Sequence, residues 1–371
     1  MTSVSQKEIP KPVLSLTMKF CVLVAALVLP VGGLLAQGSL SPAGAPAPVM
    51  KSLGQIEPRI PISTAGFTIT NAGSYYLTTN LTGGASTSGV SVSANNVTLD
   101  LNGFTLFGTA PNSIDGVLIG AQTNVTVRNG SCVGWGDSGV AAYNSHGCKF
   151  QNLTLLGNGT GLGGNSGMIV RDCVTESNLY DGFDANDRCQ FFDCSSSFNG
   201  NDGFSMAGGG CQLIRCNGSA NHLRGFYLAV GNMLQACTAY GNTNRGVEAG
   251  AAQASHISDC TFTGNGTDGI GLGSGSTLVN CTSDNNGTLS SAAGIRVNGT
   301  GNRVEGNHVW GNTAFGIFSS GGNNLIIRNS ARTLAPQTTS YNIAAGNVVG
   351  PIITSTTIGT NSSPHANFEL N

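Results

Sequence analysis

The chain has very few of the charged residues that cover the surface of helical proteins. Among 371 residues there are five Lys and six Glu, and only 9% of all residues are charged. In contrast there are 55 Gly and 37 Asn, which are poor residues for helix interiors and good ones for left-handed turns. This composition argues against a helical bundle, a coiled coil or a doubly wound α/β enzyme. The 40% of hydrophobic residues argues against simple disorder.

Several functional motifs are also missing from the sequence. It contains no HExxH zinc motif, no Walker phosphate loop, no Asp-x-Asp-x-Asp-Gly calcium loop and no CxxC pair. Basic residues are few and form no stripe, so we expect no nucleic-acid partner.

The N-terminus carries an apolar run at 20–35, preceded by Lys19 and followed by Ala36. It predicts a signal peptide at 1–36, with 1–17 as extra sequence before a true start at Met18. A membrane anchor is the alternative, but the run is short and is interrupted by Pro and Gly, so no stable membrane span is expected after cleavage. A Pro/Ala/Gly linker follows at 37–50. The predicted location is secreted, periplasmic or at the cell surface.

A repeat of about 22 residues organises the rest of the chain. A Gly followed by an apolar residue recurs at 89, 116, 139, 161, 182, 203, 225, 246, 269, 294 and 316. Each unit holds short strand-like pieces separated by Gly and Asn, and none has a helical period. This pattern predicts an all-β fold, a right-handed parallel β-helix of about 11 coils at 88–336. We expect an N-terminal cap at 51–87, a C-terminal cap and tail at 337–371, and a monomer.

Stacked coils should align equivalent residues in columns. A core column of aromatic rings is predicted at Phe183, Phe204 and Phe226. A second column is predicted for buried thiols at Cys173, Cys194, Cys216, Cys237, Cys260 and Cys281, followed by Asn307 and Asn329. A third should hold turn amides, in left-handed backbone and hydrogen-bonded from coil to coil, at Asn158, Asn178, Asn199, Asn221, Asn242, Asn265, Asn286 and Asn312.

Ten cysteines remain after removal of the predicted leader. Because their positions follow the repeat, we expect most of them to be reduced core residues rather than disulfides or zinc ligands. Cys189 and Cys211 lie on adjacent coils and are the best candidates for a disulfide.

The repeating pattern G-(F/V/I)-x-φ, φ-x-x-C/N and N (φ being an apolar residue), with the motif Val-Thr-Leu-Asp-Leu-Asn-Gly at 97–103, resembles secreted bacterial proteins with a right-handed β-helix region. That group belongs to the pectate-lyase-like superfamily, and the resemblance covers about 56–336. It implies an extended glycan bound along one outer face, with carboxylates for calcium or proton transfer and cationic or phenolic side chains beside them. The fold also hosts inert scaffolds, so it does not settle activity.

Charged side chains gather on one outer side of coils 5–8. Following the resemblance, the candidate catalytic residues are Asp184, Arg224, Tyr227 and Glu248. The candidate calcium ligands are Asp181, Asp184 and Asp202, with no other cofactor expected. The candidate substrate-binding residues are Arg188, His222 and Arg245. The alternative is that Asp202 with Arg224, and Arg245 with Asp268, are exposed inter-coil ion pairs of structural value only.

Two functions therefore stay open at this stage. The first is an exported β-helix protein that contacts polysaccharide on coils 5–8, as a lyase, epimerase or hydrolase. The second is a non-catalytic cell-envelope or surface scaffold, or an adhesin.

Overall fold

A computed structural model describes residues 51, 56–250, 254–290, 292–334 and 339–370. The predicted leader at 1–36 and linker at 37–50 lie outside the described residues. Within the described part no helix is long and apolar enough to cross a membrane.

Each coil contributes strands to three faces. Face 1 is the 13-stranded sheet, made of Phe67–Ile69, Val90–Val92, Val117–Ile119, Ser138–His146, Thr160–Ser166, Phe183–Ala185, Phe204–Gly209, Phe226–Val230, Val247–Ala249, Ile270–Leu272, Ala293–Val297, Phe315–Ser319 and Tyr341–Ile343. Faces 2 and 3 are two ladders of the 26-stranded sheet, which share the long strands Thr126–Val133 and Lys149–Leu156.

Face 2 also contains Ile60–Ile62, Gly73–Leu77, Val97–Asp100, Ile169–Arg171, Gln190–Phe192, Gln212–Ile214, Met233–Gln235, His256–Ser258, Thr277–Val279, Arg303–Glu305, Leu325–Ile327 and Val348–Val349. Face 3 also contains Leu81–Thr82, Thr105–Phe107, Val174–Glu176, Ser195–Ser197, Asn217–Ser219, Thr238–Tyr240, Thr261–Thr263, Thr282–Asp284, His308–Asn312, Ser330–Thr333, Ile352–Ile353 and Asn367–Glu369. One 3₁₀ turn, Ile358–Thr360, lies in the tail.

The strand pairs that join successive coils are parallel, which confirms the predicted parallel β-helix. The ladders extend beyond the predicted boundaries at both ends. Ile60–Ile62 and Phe67–Ile69 pair with strands of the next coil, although both lie in the stretch assigned to the N-terminal cap. Tyr341–Ile343 and Asn367–Glu369 pair with strands of the preceding coil, although both lie in the stretch assigned to the C-terminal cap.

The interior is built from columns of identical or similar side chains. The predicted aromatic column is confirmed, because the rings of Phe183 and Phe204 stack with centroids 4.9 Å apart and those of Phe204 and Phe226 with centroids 5.0 Å apart. Phe191 from face 2 meets Phe204 edge-on at 5.9 Å. All four side chains are fully buried.

The predicted amide column is also confirmed as a coil-to-coil hydrogen-bonded ladder. Asn221 shows the repeating arrangement: its side-chain oxygen accepts from the backbone N–H and the side-chain amide of Asn199, and its own amide donates to Asn242. The prediction that the ladder asparagines themselves have left-handed backbone angles was wrong, however. The left-handed angle belongs to the residue before each amide, for example Phe198 and Ala220, because that residue turns the chain so that the next side chain points inward.

The predicted disulfide between Cys189 and Cys211 is wrong. Both thiols are free and buried, and so are the six thiols of the predicted cysteine column. On adjacent in-register coils the two side chains point the same way, and Cys211 Sγ approaches the backbone nitrogen of Cys189 at 3.4 Å. A disulfide also requires a Cβ–S–S–Cβ dihedral near 90°, which parallel side chains do not present.

Candidate functional site

Six charged side chains form a continuous strip along the outside of face 1. Residues two after the repeat glycine alternate with core positions along their strands and so point away from the core. Residues one before that glycine lie in the connections that lead into the strands. Stacking of successive coils then places opposite charges within reach of each other. We call this the ion-pair strip, and its members are Asp202, Arg224, Arg245, Glu248, Asp268 and Arg296.

Arg224 occupies the centre of one half of the strip. Its guanidinium donates hydrogen bonds to both carboxylate oxygens of Asp202, with Nε–Oδ1 at 2.9 Å and Nη2–Oδ2 at 2.8 Å. Its Nη1 donates to Glu248 Oε2 at 2.6 Å, and the guanidinium carbon lies 4.2 Å from the ring centre of Tyr227. Bidentate, charge-assisted bonds of this kind hold the arginine in one position.

The second half of the strip repeats this pattern. Arg245 lies 3.1 Å from Glu248 and 3.2 Å from Asp268, and Arg296 Nε donates to Asp268 at 2.7 Å. Three carboxylates thus face three guanidiniums, so the strip neutralises itself. The predicted ladder pairs of Asp202 with Arg224 and of Arg245 with Asp268 are both present, but they were wrongly expected to be exposed, since the two aspartates are only 4% and 3% exposed.

The strip ends at two aspartates, and among the described residues no arginine forms an ion pair with either of them. Asp181 and Asp184 are half-buried on the coil before Asp202. The backbone N–H of Asp202 donates to Asp181 at 2.9 Å. Burial raises the pKa of Asp181 to about 6, assisted by the nearby carboxylates of Asp202 and Asp184. Burial also raises the pKa of Asp184.

Tyr143 completes this end of the face and was missed by the sequence reasoning. Gly163 pairs with Asp184 in face 1, and a Cβ on Gly163 would overlap the Tyr143 hydroxyl. The Tyr143 side chain therefore occupies the space that a side chain at position 163 would fill. Burial, together with the charge of Asp184, raises the pKa of Tyr143. We call Tyr143, Asp181 and Asp184 the acidic patch; the adjacent Gly163 and Gly164 were the available sequence signal.

The structure leaves two predicted substrate-binding residues away from this arrangement. Arg188 lies in the turn after Phe183–Ala185, and His222 lies in the turn before Phe226–Val230. Both are exposed, and neither forms an ion pair with the strip in the described part of the chain. Only Arg245, of the three predicted binders, joins it.

The predicted calcium ligands are close in the ladder but already engaged. Both oxygens of Asp202 bind Arg224, and Asp181 accepts a backbone N–H. Among the described residues no group of three Asp, Glu, His or Cys side chains is arranged to hold a metal ion. Calcium binding at Asp181, Asp184 and Asp202 stays a prediction that would require Asp202 to exchange its arginine for the ion.

Asp181→Asn is expected to stabilise the protein at neutral pH. An aspartate whose pKa is raised in the folded state costs stability when ionised, so this cost is present above pH 6 and disappears as the pH falls towards the ordinary value of 3.8. The amide keeps the oxygen that accepts the Asp202 N–H. We expect the variant to gain roughly 1–2 kcal/mol over the wild type at pH 7.5 and nothing near pH 4, measured by urea unfolding.

Asp193→Asn is the matched control for this substitution. Its hydrogen bonds to Arg215 lower the pKa of Asp193, so removing that charge should give no gain at pH 7.5. Parallel stability profiles for wild type and Asp181→Asn across the whole pH range would contradict the assignment.

Comparison with known proteins agrees with the geometry. A family model described as a right handed beta helix region matches residues 182–332. The chain is a right-handed parallel β-helix repeat protein. No curated protein sequence matches it significantly.

Several solved structures share the fold at low sequence identity. The A-module of the Azotobacter vinelandii mannuronan C-5 epimerase AlgE6 is 12% identical, with a TM-score of 0.55 over 81% of this chain and 91% of that one. The A-module of AlgE4 from the same organism is 13% identical, with a TM-score of 0.51 over 75% and 91% of the two chains. Tailspike protein 3 of bacteriophage CBA120 is 8% identical, with a TM-score of 0.50 over 82% and 58%. At these identities the likeness extends to the fold alone.

Proposed function

We propose that the protein is an exported β-helix protein that binds polysaccharide along the outside of face 1. The observation that carries this proposal is the acidic patch, where the half-buried Asp184 lies beside the Tyr143 hydroxyl across Gly163. A mannuronan epimerase among the proteins of similar fold supports a glycan as the ligand class. Export rests on the predicted leader, and fractionation of the producing cells would test it.

The patch offers the groups that recognise sugars. A sugar ring presents hydroxyl groups at its rim and C–H groups on its faces, so carboxylate oxygens and aromatic rings are its usual partners. Tyr143 is 39% exposed, and Tyr227, further along the face, lies half-buried beneath Arg224. A pKa of about 6 lets Asp181 carry a proton near pH 6, and burial raises the pKa of Asp184 as well, so repulsion of an acidic glycan is reduced there.

Catalysis is the finer form of the proposal. A lyase or epimerase must move a proton beside a uronate and stabilise the new negative charge with a cation. Asp184 and Tyr143 are the proton-transfer groups we propose, with Arg224 as the neighbouring cation. Arg224 already forms ion pairs with Asp202 and Glu248, so its positive charge is partly neutralised before any substrate binds. We propose that Glu248 is the ion-pair partner of Arg224 rather than an acid or base.

A polysaccharide panel tests binding and activity together. We expect wild-type protein to be retarded in affinity electrophoresis by at least one of alginate, polygalacturonate or a neutral glucan, with and without calcium. Tyr143→Ala and Asp184→Asn should each weaken retention about tenfold, as central contacts of an interface do. Unsaturated uronates by absorbance, and altered uronate composition by NMR, would report a lyase or an epimerase.

The controls remove similar groups elsewhere on the solenoid. Tyr240→Ala takes away a tyrosine that is 58% exposed on face 3, and Asp193→Asn takes away an exposed carboxylate outside face 1. Both should bind as the wild type does. If retention falls equally in the controls, the patch is not the binding site.

A non-catalytic scaffold is the second candidate function. Two observations favour it. The charges of the ion-pair strip neutralise one another. The cavity beside Arg245 and Gly271 has a volume of about 80 Å³, whereas ligand pockets usually exceed about 300 Å³. Failure of every glycan in the panel to bind would favour this second function over the first.

A further inference from the structure

A groove at the C-terminal end of face 2 lies apart from the acidic patch. Its cavity volume is about 430 Å³, within the usual range for small-molecule sites. Leu325 and Val348 are outward neighbours on adjacent strands, with Arg303 next to Leu325 on the other side. Ile327 is also outward, but only 6% exposed. These apolar side chains form the floor.

The returning tail builds the opposite wall. Pro351, Ser363 and His365 line it, and Gly350 lets it approach, since a Cβ on Gly350 would overlap the carbonyl oxygen of His365. Arg328 Nε donates to the Pro364 carbonyl at 3.0 Å. The groove is therefore a formed feature with a fixed wall and not a gap between loose segments.

The charge at one end of the groove is unbalanced. Glu305 accepts from Arg303 Nε at 2.6 Å and from Arg328 Nη1 at 2.8 Å. One carboxylate thus faces two guanidiniums whose side chains are 50% and 48% exposed. This leaves one positive charge beside the apolar floor, in contrast to the neutral strip on face 1.

We propose that this groove binds a small amphipathic monocarboxylate, such as a medium-chain fatty acid. The hydrocarbon part lies on Leu325, Ile327 and Val348, where burial of each CH₂ group favours binding. The carboxylate faces Arg303, at a groove whose wall also carries Ser363 and His365. The proposal goes beyond the glycan site and uses different residues, so either can fail without affecting the other.

Calorimetric titration of the purified protein with sodium octanoate tests the proposal. Octanoate should bind more tightly than 1-octanol, which lacks the charge, and than acetate, which lacks the chain. Val348→Asp should abolish octanoate binding, because it puts a negative charge, the same sign as that of octanoate, on the groove floor at a side chain that is 65% exposed. Arg303→Gln should weaken octanoate about tenfold and leave octanol unchanged.

Matched controls are Val174→Asp, at a valine 37% exposed on face 3, and Arg215→Gln, at an exposed ion pair outside the groove. Both should bind octanoate normally. The proposal is overturned if wild type does not bind octanoate, if octanol binds equally well, or if Val348→Asp and Arg303→Gln, both folded by circular dichroism, bind as the wild type does.

Discussion

Phe204→Ala is expected to lower the free energy of unfolding by about 3–5 kcal/mol, the usual cost of emptying a fully buried phenylalanine site. The ring is stacked between Phe183 and Phe226 and touched edge-on by Phe191, so its removal takes contacts from two neighbouring coils as well as its own. In a solenoid, stability is the sum of each coil and its two interfaces. This substitution weakens both interfaces of one central coil.

Urea unfolding followed by far-ultraviolet circular dichroism measures the effect. Phe198→Ala is the matched control, because it removes the same ring from a side chain that is 63% exposed. We expect that variant to change stability by no more than about 0.5 kcal/mol. Equal losses in the two variants would show that the aromatic column is not a source of stability.

Asn221→Ala is expected to cost about 3 kcal/mol, mainly through unsatisfied buried groups rather than lost volume. Its oxygen is the acceptor for the backbone N–H of Asn199 at 3.1 Å, and its amide donates to the Ser196 carbonyl at 3.2 Å. Neither Asn221 nor Asn199 is more than 1% exposed, so water does not reach the orphaned N–H.

Asn217→Ala in the same coil is the comparison for this substitution. That side chain is exposed, and its oxygen accepts a local hydrogen bond from the Ser219 hydroxyl. Urea unfolding of the two variants should therefore differ by most of the predicted loss. Amide hydrogen exchange adds a local readout: the Asn199 N–H should lose protection in Asn221→Ala and keep it in Asn217→Ala.

The repeat made most of the fold predictable. The glycine spacing places Phe183, Phe204 and Phe226 at one phase, and because parallel in-register strands align equal phases, their stacking follows directly. The same argument predicted that Arg224 would meet Asp202. The predicted Cys189–Cys211 disulfide was wrong because the repeat makes the two residues adjacent, but in-register side chains point the same way and do not present the dihedral that a disulfide needs.

The acidic patch and the groove were less accessible to that reasoning. Tyr143 lies within the long strand Ser138–His146 and reaches Gly163 only through its side-chain conformation, which the sequence does not specify. The groove forms because the tail returns to face 3. There Asn367 accepts hydrogen bonds from Asn329, although no repeat glycine marks its position in the sequence. Long-range returns of this kind leave no periodic signal.

The amide ladder also makes the molecule modular in length. Each asparagine of the ladder accepts from the preceding coil and donates to the next one, so Asn242 could accept from Asn199 as Asn221 now does. A whole coil is thus interchangeable, whereas a fraction of one is not, because it would break phase on all three faces. We therefore expect such a chain to tolerate the insertion or duplication of whole coils, which would lengthen the outer surface without changing the interior.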